Sequence, residues 1–182
     1  MTALPRLTTE RLLLRPFVPG DGPTVERLAG AREVADTTLA IPHPYPAGAA
    51  TAWIGGHAAA WAAGERLTLA ICVADAPHDV VGAISLTLAA EHARGELGYW
   101  VGAGMWGRGY ATEAARAVVS FGFATLGLNR IQARHFLRNP ASGRVLQKLG
   151  MRCEGMHRQA YRRWGRFEDV AVYAILASEA SR

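Results

Sequence analysis

The sequence predicts an α/β (mixed α+β) fold in which a central, twisted and mostly antiparallel sheet of about seven strands is flanked by about four helices. Strand-like segments follow one another through residues 66–101 with only short turns between them, which is typical of an antiparallel meander. A glycine cluster then opens into a helical pattern, and the last third alternates strands with one more helix. No linker or internal repeat interrupts the 182 residues, so we expect a single domain over residues 1–182.

The first third contains a strand, two helices and an extended loop. Residues 7–16 form the predicted strand, and a glycine-rich turn places Asp21 where it can cap a helix at residues 24–31. A second helix is predicted at residues 47–63. Between the helices, the proline-spaced run 42–46 disfavours helix and predicts an extended loop.

The remaining elements follow from the spacing of apolar residues, which recur every two positions in strands and every three or four in helices. Strands are predicted at residues 66–73, 80–88, 94–101, 130–136, 152–157 and 167–176. A turn at residues 74–79 separates the first two of them. Helices are predicted at residues 111–126 and 141–149, the second closed by Gly150.

The junction between the strand at 94–101 and the following helix is the most informative stretch. The first turn of a helix has unpaired backbone N–H groups and partial positive charge, and glycines allow a pyrophosphate to approach them. The sequence therefore predicts an anion site. Its amides would come from Gly107, Arg108, Gly109, Tyr110, Ala111 and Thr112.

A dinucleotide site is an alternative interpretation of the same glycines. Gly102, Gly104 and Gly107 match the spacing of the dinucleotide fingerprint. That mechanism also needs an acidic residue about 20 positions later for the ribose, and none occurs between Ala114 and Cys153. A phosphate-binding P-loop lacks its Gly-Lys-Ser/Thr. A nicotinamide-dependent oxidoreductase is therefore disfavoured.

Two motifs together resemble the GNAT N-acetyltransferases, and within them the RimJ/RimL-like branch that acetylates ribosomal-protein N-termini. They are the run Trp-Gly-Arg-Gly-Tyr-Ala-Thr-Glu-Ala at 106–114 and the run that begins with Asn139-Pro-Ala-Ser142. The resemblance covers almost the whole chain, with residues 7–16 as the opening strand and 41–46 as the substrate-side loop. One departure is Gly104, where the general motif has Gln or Arg.

The resemblance implies the GNAT fold and acetyl-CoA as cosubstrate. The pantetheine arm would pair with the backbone of Tyr99, Trp100 and Val101, where the GNAT strand is expected to splay and expose an amide to the thioester oxygen. Asn139 matches the asparagine that binds this arm, and it also stands where a helix cap is expected. Further residues assigned to the acetyl-CoA site are Trp106, Ser142, Arg144 and Lys148.

Glu96 and Ser142 are the predicted catalytic residues. Glu96 matches the carboxylate that acts in several GNAT enzymes as general base, directly or through water. An ordinary surface carboxylate on an alternating strand would give the same sequence pattern. Ser142 matches the serine proposed to protonate the leaving thiolate, although it is also an ordinary first-turn serine. Arg144 and Lys148 share a helix face and could reach the nucleotide phosphates, or Lys148 could simply be solvated.

The acceptor amine is left open. Tyr161 stands where some ribosomal-protein acetyltransferases have a carboxylate, and His43, Tyr45 and Trp53 should border the acceptor. An α-amine with a pKa near 7.8 is roughly one-third neutral at about pH 7.5, against on the order of 0.1% for a lysine side chain. The sequence is compatible with several acceptors: a ribosomal-protein N-terminus, another peptide, an antibiotic or a metabolite. It is also compatible with a protein that catalyses no reaction and serves as a CoA-binding or ribosome-associated module.

Composition restricts the partners. The formal charge is +5, and arginines concentrate in the later part of the chain. They form either a solvated face or a surface for CoA phosphates or ribosomal RNA, but the aromatic stripe of a nucleic-acid module is missing. The six histidines are scattered without metal-ligand spacing, which predicts no metal. Members of the RimJ/RimL-like branch often pair, so the resemblance also implies a homodimer.

The cellular location is predicted to be cytoplasmic. No apolar run approaches the roughly 20 residues of a membrane span, and residues 1–15 lack the apolar core of a signal peptide. Cys72 and Cys153 fall in predicted strands and are expected to be buried, reduced thiols.

Overall fold

The computed structural model describes residues 3–180 and forms one eight-stranded sheet with helices on both faces. The strands are β1 (Leu7–Thr8), β2 (Leu12–Arg15), β3 (Arg66–Val73), β4 (Ala76–Ala89), β5 (Arg94–Val101), β6 (Arg130–Phe136), β7 (Arg152–Arg163) and β8 (Arg166–Leu176). The α-helices are α1 (Gly22–Ala29), α2 (Arg32–Ala35), α3 (Ala49–Gly55), α4 (His57–Ala62), α5 (Tyr110–Ala124), α6 (Pro140–Lys148) and α7 (Ala177–Ala180). The expected domain of residues 1–182 includes positions 1, 2, 181 and 182, which lie outside the described residues.

The sheet has the order β1-β2-β3-β4-β5-β6-β8-β7. All neighbouring strands pair antiparallel except β5 and β6, which are parallel and connected through α5. The predicted meander of β3, β4 and β5 is confirmed, as is the mostly antiparallel mixed α/β fold. The single parallel pair matters for function because a parallel connection places α5 across the sheet directly after β5.

Both faces of the central sheet are buried. On β3, Leu69 and Ile71 belong to the core beneath α5, whereas Ala70 and Cys72 belong to the core beneath α1 and α3. Because successive side chains of a strand point to opposite faces, a strand covered on both sides reads as a continuous apolar run. This three-layer arrangement fixes the positions of α5 on one face and α1 and α3 on the other.

Several predicted boundaries differ in the N-terminal third. The strand at 7–16 is interrupted at residues 9–11, where Thr9 N donates to Leu12 O at 2.9 Å, and this turn produces the eighth strand. The helix at 47–63 is two helices that meet at Gly56, because the Gly55-Gly56 pair has low helical propensity. The turn at 74–79 is shorter, since β4 already begins at Ala76.

The predicted cap by Asp21 is wrong. Its carboxylate instead accepts hydrogen bonds from Arg15 at 2.8 and 2.9 Å and from Val18 N at 2.9 Å, and both charged side chains are buried. Burial opposes ionisation, but the Arg15 and Val18 hydrogen bonds hold the pKa of Asp21 below its usual value. The carboxylate oxygens of Asp21 therefore bind the buried Arg15 guanidinium instead of capping a backbone amide of the helix.

The C-terminal strands are longer than predicted, and β7 forms an edge of the sheet. Its residues are exposed or half-buried, so Cys153 is exposed rather than buried as expected, whereas Cys72 is buried. An edge strand without a covering helix presents both faces to solvent, which explains the difference. No helix within residues 3–180 is both long and apolar enough to cross a membrane.

Candidate active site

The candidate site is a cleft that opens where β5 and β6 part. These strands pair only at Arg94↔Arg130, Gly95↔Ile131 and Glu96↔Gln132. Beyond Glu96, β5 continues beside β4, and β6 continues beside β8. The predicted splay is therefore confirmed. Within residues 3–180, the backbone of residues 97–101 has no strand partner on its β6 side, and the resulting cavity has a volume of about 740 Å³.

One end of the cleft is closed by the glycine loop before α5. Gly107 and Gly109 have φ angles of +76° and +81°, a left-handed region that favours glycine. Gly109 is the N-cap residue of α5, and within the described chain no side chain caps this helix. Trp106 Nε1 donates to Val101 O at 2.7 Å, which ties the loop to the end of β5. The first-turn amides of α5 thus remain available to an anion.

Helix α6 forms the wall of the cleft that faces β5. Asn139 Oδ1 accepts from Ser142 N at 3.3 Å, so the predicted cap is confirmed. The Ser142 hydroxyl lies 2.8 Å from the Tyr99 hydroxyl, which links α6 to β5 across the cleft. Burial raises the pKa of Tyr99 to about 12, against a smaller opposing effect of the Ser142 hydrogen bond. Tyr99 therefore stays protonated at neutral pH and can act as a hydrogen-bond donor.

Two cations of α6 also line the cleft. Arg144 and Lys148 both face it, and neither forms an ion pair with any residue in the described part of the chain. Together with the partial positive charge at the start of α5, they make this end of the cleft electropositive. The arrangement suits a ligand with several phosphate charges.

Glu96 lies at the other end of the cleft, in a hydrogen-bonded cluster. Its Oε2 accepts from Arg134 Nη2 at 2.6 Å and from Gln132 Nε2 at 3.1 Å. Arg134 Nη1 donates to the Tyr161 hydroxyl, so Tyr161 reaches Glu96 only through Arg134. Burial opposes the charge of Arg134, but Glu96 and Tyr161 hold its pKa above the usual value.

A further wall of the cleft consists of residues 37–41, which follow α2, and Trp53 of α3. Arg163 holds this segment by donating to Ala35 O at 2.9 Å, to Leu39 O at 3.3 Å and to Ile41 O. Arg138 adds an ion pair to Asp36 at 2.8 Å. The hairpin of β7 and β8 and the chain just before α6 therefore hold this wall in place.

Most of the predicted site residues come together in the cleft, and four do not. The lining contains Trp53, Glu96, Tyr99, Trp100, Val101, Trp106, Gly107, Gly109, Tyr110, Ala111, Thr112, Asn139, Ser142, Arg144 and Lys148. Arg108, His43, Tyr45 and Tyr161 are not part of that lining. His43 lies against Gly30 O at 2.8 Å, and Tyr45 packs on the core under α1, because the proline-spaced run turns back toward α1.

The sequence did not predict Arg134 or most of the wall at residues 37–41 as part of the site. The cleft-lining residues that it did not single out include Arg66, Thr68, Ser85, Thr87, Arg134 and residues 37–40, whereas Ile41 belongs to the predicted substrate-side loop. Arg134 follows Gln132 at the alternating spacing of β6, which could have placed both side chains on one face. The parallel register that brings this face to Glu96 could not be read from the chain. Among the described residues, no group of three or more His, Cys, Asp or Glu could hold a metal ion.

Comparisons with known proteins agree with this geometry. The model of the acetyltransferase (GNAT) domain family matches residues 11–152. YoaA of Bacillus subtilis, named an uncharacterized N-acetyltransferase, is 41% identical over 99 residues, which are 54% of this chain and 56% of YoaA. The chain spans about half the length of the curated relatives that it matches.

Solved structures share the fold over nearly the whole chain. A GNAT-family acetyltransferase from Bacillus anthracis is 26% identical with a TM-score of 0.84, covering 96% of this chain and 100% of that one. RimJ of Mycobacterium smegmatis, in complex with CoA-disulfide, is 24% identical with a TM-score of 0.85, covering 100% and 90%. The RimJ likeness is one of fold. The splayed strands, the glycine loop and the family match all lead to one conclusion: the chain belongs to the acetyltransferase (GNAT) domain family.

Proposed function

We propose that this protein is an N-acetyltransferase that moves an acetyl group from acetyl-CoA to a primary amine by direct attack. The observation that carries the proposal is the cleft between β5 and β6, which has an uncapped helix start at one end and Glu96 at the other. One anionic cosubstrate and one amine could thus meet in the same cavity. Membership of the GNAT family supports the same reaction.

The residues of the cleft fit acetyl-CoA. Bound there, it would supply the thioester from which the acetyl group leaves. The amides of residues 107–112 would hold its pyrophosphate, and the unpaired cations Arg144 and Lys148 would add charge at its phosphates. The free edge of β5 at 97–101 would bind the pantetheine arm as an added strand does, with Asn139 on the facing helix.

Glu96 and Ser142 would handle the protons. Glu96 would accept the proton of the amine, directly or through a water, while Arg134 and Gln132 hold its carboxylate in place. Ser142 would donate to the departing thiolate, and Tyr99 would orient the Ser142 hydroxyl. Each role uses an atom that already lines the cleft.

The site favours an α-amine over a lysine side chain. Glu96 is the one acidic residue in the cleft lining among the described residues, and its Oε2 already carries two donors. A site with a single, engaged carboxylate is better suited to an amine that is partly neutral at physiological pH, as α-amines are. The N-terminus of a ribosomal protein is one acceptor of this class, and a small amine or antibiotic with a similarly low pKa is the alternative.

A thiol-release assay with matched peptides tests the proposal. One peptide has a free N-terminus and an acetylated lysine, and the other has an acetylated N-terminus and a free lysine. We expect CoA release with the first and about 300-fold less with the second, following the neutral fractions of the two amines. CoA release from the lysine peptide alone would reject the α-amine class. Absence of release with every peptide and small amine would leave a CoA-binding module instead.

Three further expectations stay predictions: a homodimer, a cytoplasmic location and a single domain over residues 1–182. Light scattering of the purified protein would test the first, fractionation of cells the second, and limited proteolysis the third.

A further inference from the structure

The turn between β1 and β2 holds a residue of α5 that lies about a hundred positions later in the chain. The Glu113 carboxylate accepts hydrogen bonds from Thr9 Oγ1 at 2.6 Å, from Arg11 N at 2.9 Å and from Arg11 Nε at 2.7 Å. Arg11 Nη2 also lies 2.6 Å from Glu113 Oε2. The turn between β1 and β2 therefore binds the first turns of α5 through both a backbone amide and a guanidinium.

Arg11 also contacts the glycine loop directly. Its Nη1 donates to Arg108 O at 3.0 Å, and its guanidinium lies over the Tyr110 ring at 5.3 Å. A methyl group added at Gly109 would come within 3.3 Å of Arg11 Nη2. Because the Arg108 carbonyl is turned to Arg11, it does not point into the cleft, where it would repel a phosphate.

The same contacts balance a charge. Glu113 lies in the first turns of α5, close to where the anion is expected. Burial opposes its ionisation, but hydrogen bonds from Thr9 and Arg11 hold the pKa of Glu113 below its usual value. The carboxylate is therefore negative, and Arg11 neutralises it, so that the start of α5 keeps its attraction for anions.

We infer that Arg11 is a positioning residue for the cosubstrate: together with Thr9 and Glu113, it holds the glycine loop in the conformation that presents its amides to the pyrophosphate of CoA. This inference rests on the proposed function. It assigns a task to the Thr-Glu-Arg-Leu run at 9–12, which otherwise lies outside the cleft. It concerns binding of the cosubstrate and leaves the chemical step untouched.

A direct role for Arg11 is the alternative that the test must separate. Arg11 and Arg116 line a second hollow of about 500 Å³, which shares Gly109, Thr112 and Lys148 with the cleft. If Arg11 bound a phosphate itself, loss of its partner Glu113 would free it and strengthen CoA binding. If it positions the loop, loss of Glu113 removes the anchor and weakens binding.

The experiment measures calorimetric CoA affinity and steady-state kinetics for the wild type, Arg11→Ala and Glu113→Ala. Arg116→Ala is the matched control, because it removes the same charge beside the same hollow, and within the described residues the Arg116 guanidinium has one hydrogen bond, to Lys148 O at 3.4 Å. We expect Arg11→Ala and Glu113→Ala each to weaken CoA binding roughly 10- to 100-fold. Their kcat at saturating acetyl-CoA should stay within about twofold of the wild-type value. The CoA affinity of Arg116→Ala should stay within about threefold of wild type. Should Arg11→Ala fail to fold, Thr9→Val removes the hydroxyl that donates to Glu113 at 2.6 Å and accepts from Leu12 N at 3.0 Å, and it should weaken CoA binding about fivefold.

Three results would overturn the inference. Tighter CoA binding by Glu113→Ala would identify Arg11 as a direct ligand, and unchanged affinity in both main variants would give the turn no task in binding. A drop in kcat equal to the loss of affinity would point to a general structural role. The proposed function fails separately, when the wild type itself binds no CoA, and the inference then falls with it.

Discussion

Glu96 Oε2 lies 2.6 Å from Arg134 Nη2, and this ion pair bridges β5 and β6 at the point where the two strands part. Arg134 is two residues further along β6 than Gln132, which pairs with Glu96 in the parallel register. The pair thus marks the end of the shared sheet and the start of the cleft. It places a fixed carboxylate where the amine would meet the thioester.

Glu96→Gln should lower kcat by roughly 100-fold, because general-base catalysis contributes on that order and glutamine cannot accept the proton. The KM for acetyl-CoA should change little, since Glu96 lies away from the phosphate end. Steady-state thiol release measures both. Glu91→Gln is the control, because Glu91 is an exposed carboxylate in the turn just before β5. Wild-type kcat in Glu96→Gln would mean that the amine needs no base from this residue.

Tyr99→Phe should lower kcat about tenfold, because it removes the hydroxyl that lies 2.8 Å from Ser142 Oγ and orients it. Tyr173→Phe is a matched control, since Tyr173 is buried in the α5 core outside the cleft and its hydroxyl has one long hydrogen bond within the described residues, from Gln147 at 3.5 Å. Thiol release and thermal unfolding of both variants separate a catalytic effect from a folding defect. An equal loss of kcat in the two would contradict the role given to Tyr99.

Arg163→Ala should raise the KM for the acceptor about tenfold, with a smaller effect on the KM for acetyl-CoA. The reason is that Arg163 holds the backbone of residues 35–41, and residues 37–41 form the wall of the cleft that we propose to border the acceptor. Arg162→Ala provides the comparison, because Arg162 is the exposed neighbour and lies over Phe167. The account would be wrong if Arg163→Ala changed the KM for acetyl-CoA and spared that of the acceptor.

His57 should make the protein less stable in acid. It is 7% exposed, packs against Trp53 with a ring separation of 4.3 Å, and neither ring nitrogen has a hydrogen-bond partner among the described residues. Burial, with a smaller effect of Arg66, lowers the pKa of His57 from 6.5 to about 4. The unfolded chain therefore binds the proton between these values and the folded protein does not. Stability is complete above about pH 6.5 and should fall by roughly 3 kcal/mol as the pH approaches 4.

Urea unfolding at several pH values measures this loss. His57→Leu should remove the part of the pH dependence that lies between about pH 4 and 6.5. Replacement of exposed His92 by leucine should leave that dependence intact. An unchanged pH profile in His57→Leu would show that His57 is not the group responsible.

Much of the fold could be predicted because it follows from local patterns. The bounds of β3, β5 and β6 agree with the predicted strands at 66–73, 94–101 and 130–136. Alternation and apolar runs define these strands, and the capping asparagine and following proline define the start of α6. The glycine loop was also predictable, since left-handed φ angles restrict positions such as Gly107 to glycine.

The parts that escaped prediction depend on contacts between distant residues. Arg15 takes Asp21 away from its helix, and Arg134 reaches Glu96 only through the register of β5 and β6. The cleft wall at 37–41 has no motif of its own and is held by Arg138 and Arg163 from the later part of the chain. A single sequence does not show which distant residues come into contact in the folded protein.

Calorimetric titration with CoA measures whether the cleft binds the CoA pyrophosphate at the glycine loop. Gly109→Val forces a side chain into a left-handed φ of +81°, whereas Gly104→Ala meets no atom within 4 Å and needs no such conformation. We expect one CoA per chain for the wild type and for Gly104→Ala, and at least a tenfold loss of affinity in Gly109→Val. Absence of CoA binding by the folded wild type, or equal affinity in all three proteins, would contradict binding of the pyrophosphate at this loop.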